Sequence, residues 1–401
     1  MAEETAPVSR FREYLQIKTV HPEPDYDSCT KFLLKQAEEI GLEHQIHECV
    51  KGKPVVILTS KGTDSSEKSV LFNSHTDVVP VFEEKWNYPP FEAQRVKMED
   101  GEYRIYARGS QDMKVTGSMY LEAIREIKKS NIQHKRDIHL IFGPDEEIYS
   151  TDGLDVFTKT PEFAKLNGGF DIDEGAPSFN DETWYFTSER ITCPVTFTAT
   201  GKTGHGSQFI EDTAAEKILP IVNELLQLRQ TNLDKIKHHG PLMILHQGEV
   251  TSANLTMLSG GKQPNVVPAT YEATFDFRVT PNIDYGEFIQ YLKDLAARNG
   301  CTVVIKKPAG SNPVTNLSEA EPFTTSFHKV LKKHNKKAHE IIMPAATDAR
   351  FIRRAGIPAV GINPLNFHKL LAHDHNEYIV ESEFLKGIPF YQDMMIELAN
   401  A

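Results

Sequence analysis

The stretch SVLFNSHTDVVP, residues 69–80, decides how this chain is read. Its first six residues form a short, nearly continuous apolar run of the kind that fits a strand covered on both faces, and the run ends at His75-Thr76-Asp77. The pattern recurs in IHLIFGP (138–144), which leads into Glu146-Glu147, and VVILTS (55–60) is a third such run. Between them, residues 114–128 carry Val115, Met119, Leu121, Ile124 and Ile127 at mostly helical offsets. A further helix near 26–40, with Phe32, Leu33, Ala37 and Ile40 on one face, stops at Gly41, the residue best able to take φ > 0 after a C-cap. This alternation predicts an α/β domain with helices around a mostly parallel mixed sheet. In such sheets ligands gather beyond the carboxyl ends of the strands, where HTD and DEE fall.

From about residue 189 the pattern changes. ITCPVTFTAT and ATYEATFDFRV alternate apolar and polar residues, as strands with one packed and one solvated face do. A strand at 191–200, a helix at 213–229 kinked by Pro220, strands at 249–258 and 269–279, a helix at 284–298 and a strand at 301–306 give a β-α-β-β-α-β order, the signature of a compact α+β domain. A helix at 323–335 and the strands EIIM and PAVGI then restore the α/β character. The expectation is an inserted domain at 189–307 within a discontinuous catalytic domain of residues 1–188 and 308–401.

At 401 residues the chain is long enough for two or three domains, and 39% apolar with 25% charged residues describes a globular protein. A formal charge of −12 argues against nucleic acid or an anionic membrane surface as a partner. The amino terminus has neither a basic start nor an apolar core, and no apolar run approaches the roughly 18 residues of a membrane span, so a cytoplasmic location is expected. Cys29, Cys49, Cys193 and Cys301 are scattered without a CxxC pair, which fits reduced thiols better than a disulfide framework or a thiolate metal site.

The polar residues at the strand ends are those of a two-zinc hydrolase. Without thiolates zinc takes imidazole and carboxylate, and a two-metal site needs ligands from several elements plus a bridging carboxylate. His75, Asp112, Glu147, Glu174 and His373 supply that set. Asp77, two residues from His75 on extended chain, points to the same side and can accept from the ring nitrogen that is off the metal. Neighbouring Glu146 and Glu147 point in different directions, so one can hold metal while the other acts as base. Each motif alone also occurs on solvated surfaces; their combination is what counts.

SHTDVVP, ARGSQDMK, PDEE, DEG, TGHGS, NVVPA, PAATDARF and HDHNE, spanning about 75 to 377, together resemble the aminoacylase and carboxypeptidase G2-like family of dizinc amidohydrolases and metallopeptidases. The resemblance implies that Asp112 bridges two Zn²⁺ ions per subunit, that His75 and Glu174 bind one and Glu147 and His373 the other, and that His375 is the rival for the last position. It makes Glu146 the general base on a zinc-bridging water and His205 a donor to the oxyanion, entering from the partner subunit in dimeric members. It places Arg350 and Asn265 at the substrate's carboxylate, with Arg278, Thr347 and Gly361 as further pocket residues. The implied activity is cleavage of N-acyl-L-amino acids, in a homodimer formed through the inserted domain. A dipeptidase or carboxypeptidase of the same fold would share the zinc chemistry and differ only in its acyl pocket. A silent binding protein should have lost the base or a ligand, and none is missing. His205 as a structural histidine and Arg278 as an ion-paired surface residue remain open, and His238-His239 reads as solvent-exposed.

Overall fold

The computed structural model describes residues 3–306, 312–318 and 321–401, and it separates into two compact units. One comprises the chain up to Thr187 with Thr315–Glu340 and Thr347–Ala401; the other comprises Ser188–Val314 and Ile341–Ala346. The short segment Ile341–Ala346 thus joins the inserted unit, which sequence periodicity does not signal. The expected boundary at 307/308 lies outside the described residues.

The first unit is built on an eight-stranded sheet in the order Glu43–Val50, Lys53–Ser60, Ile138–Gly143, Ser69–His75, Gly168–Asp173, Ala359–Ile362, Glu182–Glu189, Lys337–Met343. The four central strands run parallel and their neighbours on either side antiparallel. Every residue of Ser69–His75 is buried, as a run without alternation predicts. Its side chains still divide by period two. Val70 and Phe72 join the core under the helices Lys114–Lys129 and Glu381–Ala399, whereas Leu71 faces Leu154, Phe157 and Ile352 on the opposite side. Each fully buried Leu or Phe in these layers contributes roughly 1.5–3 kcal/mol. The helix Tyr26–Ile40 starts where Asp25 accepts from Ser28 N (2.9 Å) and ends at Gly41, whose φ of 79° is left-handed.

Register fixes what comes next. His75 lies opposite Gly143, and Gly361 opposite Asp173, so the residues that follow these strands emerge on one edge of the sheet. A separate three-stranded sheet, in the order Tyr378–Val380, Tyr103–Tyr106, Gln94–Lys97, holds the HDHNE segment beside residues 107–112.

The inserted unit is an antiparallel sheet ordered Ser252–Gly260, Thr270–Val279, Ile191–Thr200, Cys301–Ile305. One face packs on the helices Ala214–Ile236 and Tyr285–Arg298, and the strict alternation of burial along Ile191–Thr200 follows from that one-sided cover. A capping box between Thr213 and Glu216 starts the first helix, which accommodates Pro220 near its amino end and runs on to Ile236, past the expected 229.

Candidate metal centre

His75 ends its strand with the ring fully buried. From the neighbouring strand the chain turns through Asp145, at a left-handed φ of 65°, into the single turn Glu146–Ile148. A non-glycine residue needs holding in that conformation. Tyr26 supplies it: its hydroxyl donates to Asp145 Oδ1 (2.6 Å) and accepts from Asp145 N (2.9 Å), while Lys53 Nζ lies 2.7 Å from Asp145 Oδ2. Glu174 follows the strand Gly168–Asp173, and His373 arrives on a loop, itself at φ 64°.

These turns bring the five expected metal ligands together. Asp112 stands between the two histidines, with Oδ1 3.1 Å from His75 Nε2 and Oδ2 3.2 Å from His373 Nε2. His75 Nε2 is also 3.6 Å from Glu174 Oε2, and His373 Nε2 is 2.9 Å from Glu147 Oε2. The ring of His375 turns instead towards Phe82. Glu146 Oε1 lies 3.6 Å from Arg350 Nη1, and Arg350 is anchored by donating to the backbone oxygens of Thr347 (2.5 Å) and Tyr149 (3.4 Å).

Asp77 engages more than the ring of His75. The nearest acceptor for His75 Nδ1 is the backbone oxygen of Asp77 at 3.0 Å, with the carboxylate Oδ1 at 3.5 Å. The carboxylate is also held by other groups: Oδ1 accepts from Glu146 N and Oδ2 from Glu147 N, both at 3.1 Å, and His21 Nε2 lies 2.8 Å from Oδ2. Gly361 lies against the chain that carries Glu174. A Cβ there would stand 2.2 Å from the backbone oxygen of Glu174, so the glycine permits two chains to pass at the base of the site.

The electrostatics follow from burial and crowding. Burial opposes protonation of His75, yet Asp112, Asp77 and Glu174 hold its pKa well above the ordinary value. Asp112 and Glu147 raise His373 to about 10. Burial pushes up Glu146, Glu147 and Glu174, the last to about 8; the charge of Glu174 adds to the shift of Glu146, and that of Asp112 to the shift of Glu147. Asp112 is held below the carboxylate range, against its burial, by the two imidazoles. The donors fit a pair of divalent cations. Ligand atoms of His75, Asp112 and Glu147, and of His75, Glu146 and Glu174, converge within 4.8 Å, and Glu147 Oε1 is buried without a hydrogen-bond partner. Nitrogen and carboxylate oxygen without thiolate suit zinc, cobalt or manganese.

Two supporting residues escaped the sequence reading. His21 is brought to Asp77 by a parallel bridge between Val20 and Val78, a contact that no local pattern announces. Glu377 is fully buried; Oε2 accepts from Arg108 Nη1 (2.6 Å) and Gly109 N (3.1 Å), and Oε1 from Gln111 N (2.5 Å) and Asp112 N (3.2 Å). It therefore shapes the loop that carries Asp112, and its place at the close of HDHNE was the available signal.

His205, Asn265 and Arg278 belong to the inserted unit. His205 is exposed on the two-residue strand Gly204–His205, and its Nδ1 lies 2.7 Å from Ser207 Oγ and 3.2 Å from Ser207 N, which leaves Nε2 unengaged by either contact. Asn265 is exposed, and its backbone oxygen accepts from Gly206 N (2.8 Å). Arg278 is ion-paired with Asp276 (3.3 Å) and donates to Thr192 Oγ1 (3.0 Å). His239 is half-buried and stacks on His246 at 3.4 Å between ring centroids, so it is not a freely solvated side chain.

Residues 71–397 match the family described as Peptidase family M20/M25/M40. Aminoacylase-1 of Sus scrofa is 43% identical over 395 residues, covering 98% of this chain and 95% of that protein. Aminoacylase-1 of Dictyostelium discoideum is 38% identical over 412 residues, covering 99% and 98%. Among solved structures, the M20 family metallo-carboxypeptidase Sso-CP2 from Sulfolobus solfataricus superposes with a TM-score of 0.74 at 19% identity, covering 99% of each chain. A dinuclear metal binding peptidase from the M20 family of Bacillus subtilis superposes at 0.65 and 15% identity, covering 98% of each. At those identities the structures share the fold.

Proposed function

We infer that this chain, which belongs to peptidase family M20/M25/M40, is an amidohydrolase that cleaves N-acyl-L-amino acids to a carboxylate and a free L-amino acid. The observation that carries the substrate class is likeness to aminoacylase-1 at 38–43% identity along nearly the whole of both chains. That likeness also favours an N-acyl substrate over the dipeptides and carboxy-terminal peptides cut by other enzymes of this fold.

In this proposal His75 and Glu174 would hold one zinc and Glu147 and His373 the other, with Asp112 shared between the two. The division of Asp112's two oxygens between the two histidines supports the assignment. Bound there, zinc would polarise the acyl carbonyl and acidify the attacking water. Glu146 takes the proton from that water and returns it to the departing amine. Its burial beside Arg350 suits a group that must shuttle a proton rather than stay solvated. Arg350 binds the α-carboxylate of the substrate, and Thr347 fixes Arg350 through its backbone oxygen; Asn265 and Arg278 are proposed as further substrate-binding residues. His205 donates to the oxyanion of the tetrahedral intermediate. A homodimer in which this histidine serves the partner's site, formed through the inserted unit, is part of the same proposal. So is a cytosolic location, which the four unpaired cysteines support.

The test is amino-acid release by zinc-loaded protein from N-acetyl-L-methionine, a long-chain acyl amino acid and a simple dipeptide, with Glu146→Gln alongside. Turnover of an N-acyl substrate that falls ~10²–10⁴-fold in the variant, at unchanged metal content, is the expected result. Cleavage of the dipeptide alone would overturn the substrate assignment, and normal turnover by Glu146→Gln the assignment of the base.

A further inference from the structure

Beside the carboxyl-terminal half of the helix Ala214–Ile236, the inserted unit has a pocket of about 240 Å³ that is open to solvent on one side. Arg190 and Arg229 line it, and among the described residues no aspartate or glutamate does. Arg190 is only 6% exposed. Its Nε donates to the backbone oxygen of Pro344 (2.8 Å) and its Nη1 to that of Val250 (3.4 Å), while Nη2 donates to no group among the described residues. Buried charges are ordinarily paired with an opposite charge. The acid that bears on Arg190 is Asp276, and Asp276 is already ion-paired with Arg278. Burial, reinforced by Arg278, lowers the pKa of Arg190 to about 10, which leaves it a cation at neutral pH.

Arg229 presents the second guanidinium from the helix, steadied where its Nε donates to Asn254 Oδ1 (3.1 Å). The rest of the lining is divided between amides and hydroxyls and an apolar group of Leu233, Ile236, Met243 and Val250. Two cations without an acid select an anion, and the apolar group selects a carbon chain behind it. The volume lies below the roughly 300–1,000 Å³ of sites for drug-sized ligands, which limits that chain to a few carbons.

We propose that this cavity binds a small monocarboxylate with a short apolar body, its carboxylate held between Arg190 and Arg229 and its chain against Leu233, Ile236, Met243 and Val250. The pairing supplies Arg190 with the counter-charge that the fold withholds, through the charge-assisted bonds that guanidinium and carboxylate form well. A ligand retained here would act on the inserted unit, separately from the residues assigned to catalysis.

The experiment is isothermal titration of the zinc-loaded full chain with 4-methylpentanoate and, as a neutral isostere, 4-methylpentanamide. The carboxylate should bind and the amide should not. Arg229→Met, an exposed position that leaves the fold intact, should weaken the carboxylate at least about tenfold while kcat/KM for N-acetyl-L-methionine is unchanged. Arg190→Gln should abolish binding if it folds. Equal binding of amide and carboxylate, no binding by the unmodified protein, or undiminished binding by Arg229→Met would each overturn the proposal. The last would place the carboxylate elsewhere, for instance at the metal centre.

Discussion

Gly361→Ala is a one-carbon change whose cost follows from a single distance. An added Cβ would stand 2.2 Å from the backbone oxygen of Glu174, about 1.2 Å inside the 3.4 Å at which ordinary contact begins, and Phe186 Cδ2 at 3.2 Å limits movement the other way. Gly361 pairs in parallel with Asp173 and antiparallel with Phe186, so it cannot retreat without breaking one ladder. The strain must pass to Glu174. Overpacking of this kind costs about 1–3 kcal/mol of stability, and displacement of a reacting-site group by ~1 Å can cost ~10²-fold in rate. Thermal unfolding, metal content by mass spectrometry and kcat/KM on N-acetyl-L-methionine measure the three consequences. A slightly destabilised variant with a deficit of metal and a rate down by ~10²-fold is expected. Wild-type rate with full metal occupancy would refute the view that Gly361 serves the site by letting Glu174 pass.

The remaining predictions concern groups around the centre. His21→Ala deprives the buried Asp77 carboxylate of one of its three donors, so metal affinity should fall ~10–100-fold, with His21→Asn restoring part of it; equal retention of metal on dialysis would show that the two backbone donors suffice. Mixing His205→Ala with Glu146→Gln should restore turnover in heterodimers if the histidine acts across subunits, because one of the two sites then has both groups. No recovery would place its action within one chain. His139 is buried on the sheet with Nδ1 2.9 Å from Thr59 Oγ1, and burial lowers its pKa to about 4. Its unfolded value is near 6.5, so the unfolded chain binds the extra proton: stability is complete above pH ~6.5 and is lost as pH falls towards 4, by about 2 kcal/mol at pH 5. Urea unfolding of His139→Gln should show a drop between pH 7.5 and 5 that is smaller by about that amount, and an equal drop would dismiss the histidine as its source.

Much of the fold is legible locally because its central strands are covered on both faces. VVILTS, SVLFNS and IHLIFG need no tertiary context to be recognised, and the helices 26–40, 114–128 and 284–298 lie within a residue of their observed limits. The strand Glu43–Val50 was missed for the opposite reason: EHQIHECV is an exposed edge strand with no buried alternation to betray it. The strands Gln94–Lys97, Tyr103–Tyr106 and Tyr378–Val380 are too short for a period to emerge. At the site, the ligand types were readable from the ends of apolar runs, since parallel register brings those ends together. Roles that depend on atoms rather than residue types were not. The meeting of Asp77's carboxylate with His21, and the close approach of Gly361 to Glu174, exist only once residues 56 and 187 positions apart have been folded together.

Asp77 shows why such details govern the chemistry. Its two carboxylate oxygens accept the backbone N–H groups of both Glu146 and Glu147, so one buried anion sets the orientation of a proposed base and a proposed ligand at once. Its own backbone oxygen fixes the ring of His75. Three groups with different duties are therefore referred to a single residue, and their relative positions do not depend on three separate loops being rigid. The turn that presents Glu146 and Glu147 is constrained from its other side, where Tyr26 and Lys53 hold Asp145 in the left-handed region. A carboxylate so held stays ionised: His21 and His75 keep the pKa of Asp77 below the usual range against the effect of its burial. That charge is fixed in place before any substrate arrives, which is the preorganisation on which electrostatic catalysis depends.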